Sequence, residues 1–217
     1  MGYILIFITA IFVNNVVLSQ FLGICPFLGV SKKVETASGM AAAVAFVLVI
    51  ATLVTYLLQV YFLAPGTNVF STEGHPVDLT YLQTIVFILV IAALVQMVEI
   101  VLKKVSPSLY QALGVFLPLI TTNCCILGVA IQVSQGTYAA AGLEHNLLTG
   151  IVYALSTALG FGLALVVFAG IREQLSRVAV PKGVQGMSIA LITAGLLAMA
   201  FMGFSGVNNG LQKLFGI

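Results

Sequence analysis

The chain contains the segment Cys25-Pro-Phe-Leu-Gly-Val30 and partly repeats it ninety-nine residues later as Cys124-Cys-Ile-Leu-Gly-Val129. Both copies follow the pattern C-x-x-L-G-V, both lie inside long apolar stretches, and together they contain all three cysteines of the chain. Thiols at matching points of two half-proteins suggest a site built on an internal symmetry axis. Because thiolates bind soft metals, that site could hold a metal, and it would lie inside a membrane.

The composition is that of an integral membrane protein. Of the 217 residues, 61% are hydrophobic and only 6% are charged, and the mean hydropathy is +1.18. Soluble domains carry about 25% charged residues, so the few charges of this chain could not cover the surface of a water-soluble fold. The segment Met1-Gly-Tyr3 lacks the basic region that opens a signal peptide, so we expect the first apolar run to stay in the membrane.

Apolar runs near the length that crosses about 30 Å of hydrocarbon recur along the chain, separated by turn and polar residues. We therefore predict an all-α membrane protein that forms a single domain over residues 1–217 with six transmembrane spans. The predicted spans are Tyr3–Phe21, Gly39–Phe62, Leu79–Leu102, Leu109–Ile131, Leu147–Ile171 and Gly186–Phe204.

The basic residues indicate the orientation of these spans. Seven of the eight Lys and Arg residues lie in the loops after spans 1, 3 and 5, and only Lys213 lies on the other side. Cytoplasmic loops carry an excess of Lys and Arg, so these three loops should be cytoplasmic. We therefore expect a multi-pass protein of a bacterial or archaeal cytoplasmic (inner) membrane, with both termini on the outer, periplasmic side.

The two cysteine segments lie near the ends of spans 1 and 4, so three spans separate equivalent points. An odd number of crossings brings the second copy into the membrane from the opposite side, which predicts inverted repeats of approximately residues 1–105 and 106–217. Such folds bind near the midplane through broken helices, and Pro26 and Pro118 each remove a backbone donor from these two spans. Polar residues beside the cysteines should cap the half-helices or line the site: Asn14, Asn15, Ser19, Gln20, Thr121, Thr122 and Asn123.

The cysteine pair has a simpler interpretation as well, because a lone cysteine in a membrane helix is usually a small inert hydrophobe. Two thiolates also cannot complete a four-coordinate metal site. Either His or carboxylate ligands must help, or a second subunit must supply two more thiolates. Both histidines lie in predicted outer loops, where a solvated histidine is the simpler interpretation, so the second subunit is favoured.

Several other residues have ordinary interpretations. Glu99 and Lys103 are four residues apart and most simply form a pair at the membrane interface. Arg172 is most simply a solvated helix end, and Tyr153 is expected to pack or to lie in an aromatic belt. The chain has no phosphate-binding loop, dinucleotide fingerprint or nucleophile triad, so we assign no catalytic residue.

At the cysteine segments the chain resembles the A subunit of the Rnf complexes. The segments that carry this resemblance are Phe21-Leu-Gly-Ile-Cys-Pro-Phe-Leu-Gly-Val-Ser-Lys-Lys33 and Leu117-Pro-Leu-Ile-Thr-Thr-Asn-Cys124. The resemblance covers essentially the whole chain. The E subunit of the sodium-pumping NADH:quinone oxidoreductase is closely similar, but Pro26 and Thr122 look more like the Rnf version.

The resemblance implies a membrane subunit of a ferredoxin:NAD oxidoreductase that couples electron transfer to Na+ or H+ transport. It implies that Cys25 and Cys124 bind one [2Fe-2S] cluster together with two cysteines of the homologous E subunit. The B, C, D and G subunits would be further partners, alongside membrane lipid and no nucleic acid. FMN or riboflavin and further iron–sulfur clusters would belong to other subunits.

The chain departs from the family pattern at Cys125, where the resemblance predicts a small apolar residue. Cys124 matches both the family motif and the internal repeat, so it is the preferred ligand of the two neighbours. Two alternative functions remain open. One is the corresponding subunit of the sodium-pumping NADH:quinone oxidoreductase, and the other is a secondary transporter with an inverted repeat and no redox role.

Overall fold

The computed structural model describes residues 2–63, 80–105, 117–136, 146–178, 186–207 and 210. Within these ranges the chain forms helices and no strand, which confirms the predicted all-α class. Two helices end in a π-helical segment: α1 (Gly2–Ile8) continues over Thr9–Val13, and α3 (Val34–Leu58) continues over Gln59–Leu63. The others are α2 (Ile24–Val30), α4 (Gln83–Val105, after a 3-10 turn at Thr80–Leu82), α5 (Leu117–Thr121), α6 (Cys124–Gln135), α7 (Leu147–Leu175) and α8 (Met187–Met202).

Four helical segments of the described residues are long and apolar enough to cross a membrane: Val34–Leu63, Gln83–Val101, Pro118–Gln135 and Leu147–Leu175. Two shorter apolar helices, Gly2–Val13 and Met187–Met202, fall where the first and sixth spans were predicted. The multi-pass character is confirmed, while the count of six spans, the inverted repeat, the single domain and the orientation stay predictions. Outside the described residues lie the start of the predicted fourth span and the outer-loop residues Glu73, His75, Asp78, Glu144 and His145.

Helix α7 is the element against which the others pack. It runs along α3 and also contacts α1 and the π-helical segment after it. In lipid, helices are held together by close packing, and small residues let two backbones approach. A Cβ added at Gly160 of α7 would lie 3.0 Å from the carbonyl oxygen of Ala10, so the first span crosses α7 in direct backbone contact at this glycine.

The first span is interrupted between the π-helical segment and α2, and Asn15 organises the interruption. Its Nδ2 donates to the carbonyl oxygens of Ile11 (3.0 Å) and Gly160 (2.8 Å). Its Oδ1 accepts from the backbone N–H groups of Val17 (3.1 Å) and Leu18 (3.3 Å). Backbone polar groups in hydrocarbon need protein partners, so this fully buried side chain takes over bonds that a continuous helix would make itself.

Proline does not mark the point of interruption. Pro26 lies in the first turn of α2, where its missing N–H would have no partner within the helix anyway. The chain instead leaves the helix at Asn14 and re-enters one after Gly23. The prediction that the span is broken near Cys25 agrees with the structure, but the residues that break it are the asparagine and the glycine.

The expectation of a solvated helix end at Arg172 is wrong. Its Nη1 donates to the carbonyl oxygen of Leu28 at 2.8 Å and to Oγ of Ser31 at 2.8 Å. The last carbonyl groups of a helix have no partner within it, and here the half-buried guanidinium supplies one for α2. Because the Phe27 and Phe168 rings also stack with centroids 4.3 Å apart, the C-terminal part of α7 holds the end of α2.

Candidate functional site

Cys25 and Cys124 both lie in the first turn of a helix that follows an interruption of the chain. Cys25 is the second residue of α2, whose N-cap is Gly23, and Cys124 is the first residue of α6, whose N-cap is Asn123. Backbone N–H groups at a helix N-terminus have no partner within the helix and favour negative charge nearby. The first turn of the longer helix, α6, is therefore a favourable position for the thiolate form of Cys124.

The two cysteine segments touch each other. The backbone N–H of Gly23 donates a hydrogen bond to Sγ of Cys124 at 2.9 Å. Gly23 precedes Cys25 by two residues, a stretch of chain that spans at most about 7 Å. The fold therefore brings together the two cysteines that the sequence singled out, although 99 residues separate them.

Gly23 is where the chain needs a glycine for this contact. Its φ of +79° is in the left-handed region that residues with a Cβ rarely adopt. An added Cβ would lie 2.9 Å from Cε2 of Phe161, 3.2 Å from Cβ of Cys125 and 3.3 Å from Oδ1 of Asn123. The backbone of the first cysteine segment can approach Cys124 this closely only because Gly23 has no side chain.

The three thiols differ in exposure. Cys25 and Cys124 are exposed on the surface of this chain, whereas Cys125 is fully buried against Gly23. The surroundings of the exposed pair are apolar, since Phe21 is 63% exposed and Ile24 is 36% exposed. Comparison of the two C-x-x-L-G-V copies favoured Cys124 over its neighbour, and the structure makes Cys124, not Cys125, the accessible one.

Asn123 has one amide atom in use and one without a partner. Its Oδ1 accepts from the backbone N–H of Cys125 at 3.0 Å, which is the N-cap bond of α6. Its Nδ2 is buried and has no hydrogen-bond partner among the described residues. Leaving a buried donor unpaired costs about 1–3 kcal/mol, so this atom marks a place where an acceptor from outside the described chain would bind favourably.

The contact lies at the mid-length of α7. Phe161, against which Gly23 packs, is the fifteenth of the 29 residues of Leu147–Leu175. At 1.5 Å per residue α7 is about 43 Å long, so more than one turn of helix remains at each end beyond a 30 Å hydrocarbon layer. If α7 crosses symmetrically, the site lies near the midplane, which is the position expected of a site built from broken helices.

Polar residues that the sequence did not assign to the site lie beside it. Nε2 of Gln132 donates to Oε1 of Gln20 at 2.8 Å, and the Tyr153 hydroxyl donates to Oε1 of Gln132 at 2.7 Å. Tyr153 is thus more than a packing residue. The available signal was Gln132 itself, because an amide at membrane depth is costly unless it is paired, and it lies two turns after Cys124 on the same helix face.

The chain offers half of a metal site. Among the described residues, no three His, Cys, Asp or Glu side chains come together in a way that could hold a metal ion. Both histidines, His75 and His145, lie outside the described residues. Two exposed thiols on one apolar face match the ligand count from sequence, which called for two more ligands from a second subunit.

Comparison with known proteins gives the family. Residues 3–208 match the family model described as "Rnf-Nqr subunit, membrane protein". The A subunit of the Na(+)-translocating ferredoxin:NAD(+) oxidoreductase complex of Acetobacterium woodii is 57% identical over 97% of this chain and 100% of its own length. The A subunit of the ion-translocating oxidoreductase complex of Syntrophotalea carbinolica is 53% identical over 95% and 98%, and that of Actinobacillus pleuropneumoniae serotype 5b is 50% identical over 94% and 97%. The family resemblance expected from the cysteine segments is thus confirmed, and the chain belongs to the Rnf-Nqr family of membrane-protein subunits.

Proposed function

We propose that this chain is the A subunit of an ion-translocating ferredoxin:NAD oxidoreductase of the Rnf type in a cytoplasmic membrane. The observation that carries the proposal is the 57% identity to the Acetobacterium woodii protein over nearly the whole of both chains. The three relatives named above are all A subunits of such complexes, which favours the Rnf assignment over the NADH:quinone oxidoreductase alternative. Transport of Na+ or H+ would be a property of the complex, to which this chain contributes a membrane subunit.

The proposed role of the chain within the complex is to provide Cys25 and Cys124 as two ligands of a [2Fe-2S] cluster. Four thiolates are the usual ligand set of such a cluster, so a homologous E subunit would supply the other two. When bound, the cluster supplies one-electron transfer. The donor set supports the proposal, because both thiols are exposed while the remaining cysteine is buried.

Two further observations support the fit of a sulfur-rich, negatively charged group at this position. The unpaired Nδ2 of Asn123 needs an acceptor, and the Gly23 N–H already donates to Cys124 Sγ at 2.9 Å. The missing side chain of Gly23 leaves the approach open that a Cβ would block. The buried Phe161 ring and the buried Cys125 exclude water from the inner side of the two cysteine segments.

The same residues explain how the chain would hold its half of the site rigidly. Asn15 joins the interruption of the first span to α7, and Arg172 joins the other end of α2 to α7. Cys25 therefore lies on a short helix that is fixed to the same long helix at both ends. A fixed ligand position limits structural change when an electron arrives or leaves, and the apolar surroundings should lower the reduction potential.

The face that carries Cys25 and Cys124 is the position we propose for the pseudo-symmetric partner. Exposed apolar side chains beside the thiols, including Phe21 and Ile24, would be covered by the homologous E subunit. The B, C, D and G subunits would complete the complex and carry the flavins and the other iron–sulfur clusters.

The proposal is tested by single cysteine substitutions in the purified complex. Cys25→Ser and Cys124→Ser should each abolish one [2Fe-2S] signal in electron paramagnetic resonance (EPR) spectra and lower the iron and acid-labile sulfide content by two atoms each. Cys125→Ser is the matched control, because that buried thiol has no ligand role, and the signal should remain. Ferredoxin-linked NAD reduction should follow the signal.

Two results would count against this function. Full iron content and activity in both Cys25→Ser and Cys124→Ser would remove the ligand assignment. Cation transport by the purified chain that is indifferent to all three cysteines would favour the alternative of a secondary transporter, which also draws on the polar chain of Gln20, Gln132 and Tyr153.

A further inference from the structure

We propose that the side-chain amide of Asn123 donates a hydrogen bond to a sulfur atom of the bound [2Fe-2S] cluster and thereby raises its reduction potential. The inference rests on the proposed function, because it takes Cys25 and Cys124 to be cluster ligands. It adds a donor from this chain that controls how readily the site accepts an electron.

The position of the Asn123 amide is fixed by its neighbours. The Cys125 N–H can only donate, so the atom that faces it at 3.0 Å must be Oδ1 and the other atom of the amide must be Nδ2. Oδ1 also lies 3.3 Å from the position of a Cβ at Gly23, so the side chain lies against the turn that leads to Cys25. With the residue only 4% exposed, the amide has little room to rotate and its N–H group points in one direction.

The described chain gives this N–H no acceptor. Nδ2 is buried without a partner, whereas each polar atom of the comparable amide at the other interruption, Asn15, has two. An amide donor in a membrane interior finds no water to replace the missing bond. The acceptor must therefore come from a group that is added when the site is completed.

The sulfur atoms of the cluster are acceptors of the right kind and in the right place. Cys124, the residue next to Asn123, is exposed and already accepts the Gly23 N–H at 2.9 Å. Asn123 would then be the second donor in the same small region, contributed by the second cysteine segment as Gly23 is by the first. Donors directed at cluster sulfurs stabilise the reduced, more negative state and raise the potential. These donors would offset the lowering of the potential by the apolar surroundings.

The test is an EPR-monitored redox titration of the complete complex with Asn123→Ser and Asn123→Asp. Serine and aspartate are as good as asparagine at a helix N-cap, so both keep an acceptor for the Cys125 N–H while removing the amide donor. Asn146→Ser is the matched control at the N-cap of α7. It lies about 22 Å from Phe161 along the helix.

We expect the midpoint potential to shift to more negative values in Asn123→Ser and further in Asn123→Asp, which adds a negative charge. Asn146→Ser should leave it at the wild-type value. An unchanged potential in Asn123→Ser with an intact signal overturns the donor assignment and leaves the proposed function standing. A wild-type complex without any cluster signal overturns both.

A second measurement keeps the test valid if the variants lose the cluster. The wild-type complex is labelled with 15N in the asparagine side-chain amide, and pulsed EPR is recorded on the reduced cluster. A weak 15N coupling to the electron spin supports the hydrogen bond. Its absence in a sample with full signal intensity overturns the assignment, because a hydrogen-bonded amide nitrogen next to a cluster sulfur gives such a coupling.

Discussion

Substitution of Gly23 by alanine should open the contact between the two cysteine segments. The new Cβ would face Cε2 of Phe161 at 2.9 Å and Cβ of Cys125 at 3.2 Å, in a backbone conformation at φ +79°. The left-handed conformation costs a residue with a Cβ about 1–2 kcal/mol. Overpacking a close contact costs about 1–3 kcal/mol more, so we expect a total loss of about 2–5 kcal/mol.

The buried thiol of Cys125 provides the assay for this loss. In a Cys25→Ser, Cys124→Ser background Cys125 is the single cysteine of the chain, and maleimide can reach it only when the contact opens. Because each 1.4 kcal/mol is a factor of ten, a loss of about 2–5 kcal/mol should accelerate labelling by roughly 30-fold to a few thousand-fold. The labelling rate is measured by mass spectrometry of the purified protein.

Gly39→Ala is the control for Gly23→Ala. No atom lies within 4 Å of a Cβ at this glycine of α3, so labelling of Cys125 should stay the same or become slower. A helical Gly→Ala exchange without a clash stabilises by about 0.5–1 kcal/mol. Labelling of Gly23→Ala within twofold of the parent rate would refute the argument that this position requires glycine.

Two further substitutions test the side chains that hold the interrupted span. Arg172→Gln removes the charged donor from the end of α2 and should cost about 1.5–3 kcal/mol in thermal unfolding of the detergent-solubilised complex. Arg177→Gln should cost less than about 1 kcal/mol because its ion pair is solvent-exposed, and equal losses in both would contradict a specific role of Arg172. Asn15→Ala leaves the Gly160 carbonyl and other backbone groups unpaired and should cost about 2–4 kcal/mol, far more than Asn14→Ala at the exposed neighbour. Matching melting temperatures for the two asparagine variants would show that the bonds of Asn15 are dispensable.

The general character of the site could be predicted from the sequence because its signals are chemical and local. Cysteines in an otherwise apolar chain, with amides and glycines beside them, indicated interrupted helices whose ends meet. Ligand counting then indicated that two thiolates are half of a site. The preference for Cys124 over Cys125 also came from alignment of the two C-x-x-L-G-V copies, and it agrees with the exposure of the two thiols.

The contacts that stabilise the site could not be predicted, since each joins residues far apart in the chain. Arg172 follows Leu28 by 144 residues, and nothing near Arg172 indicates that its charge lies against the end of another helix. The same holds for the 112 residues between Gln20 and Gln132. The covalent geometry of proline suggests a helix breaker, but a proline in a first turn breaks nothing, and the interruption is set by Asn15 and Gly23.

The shortness of α2 has a consequence for the order in which the protein matures. A helix of seven residues leaves most of its own backbone groups unpaired, so it cannot persist alone in lipid. The groups that complete it, Cys124 and Arg172, belong to parts of the chain that the ribosome makes later. Cys25 leaves the ribosome early but acquires its position only once α7 has been inserted, so iron and sulfide cannot be loaded correctly during the first half of synthesis. Cluster insertion is therefore expected to be post-translational, and a chain truncated before Arg172 should reach the membrane yet remain free of iron.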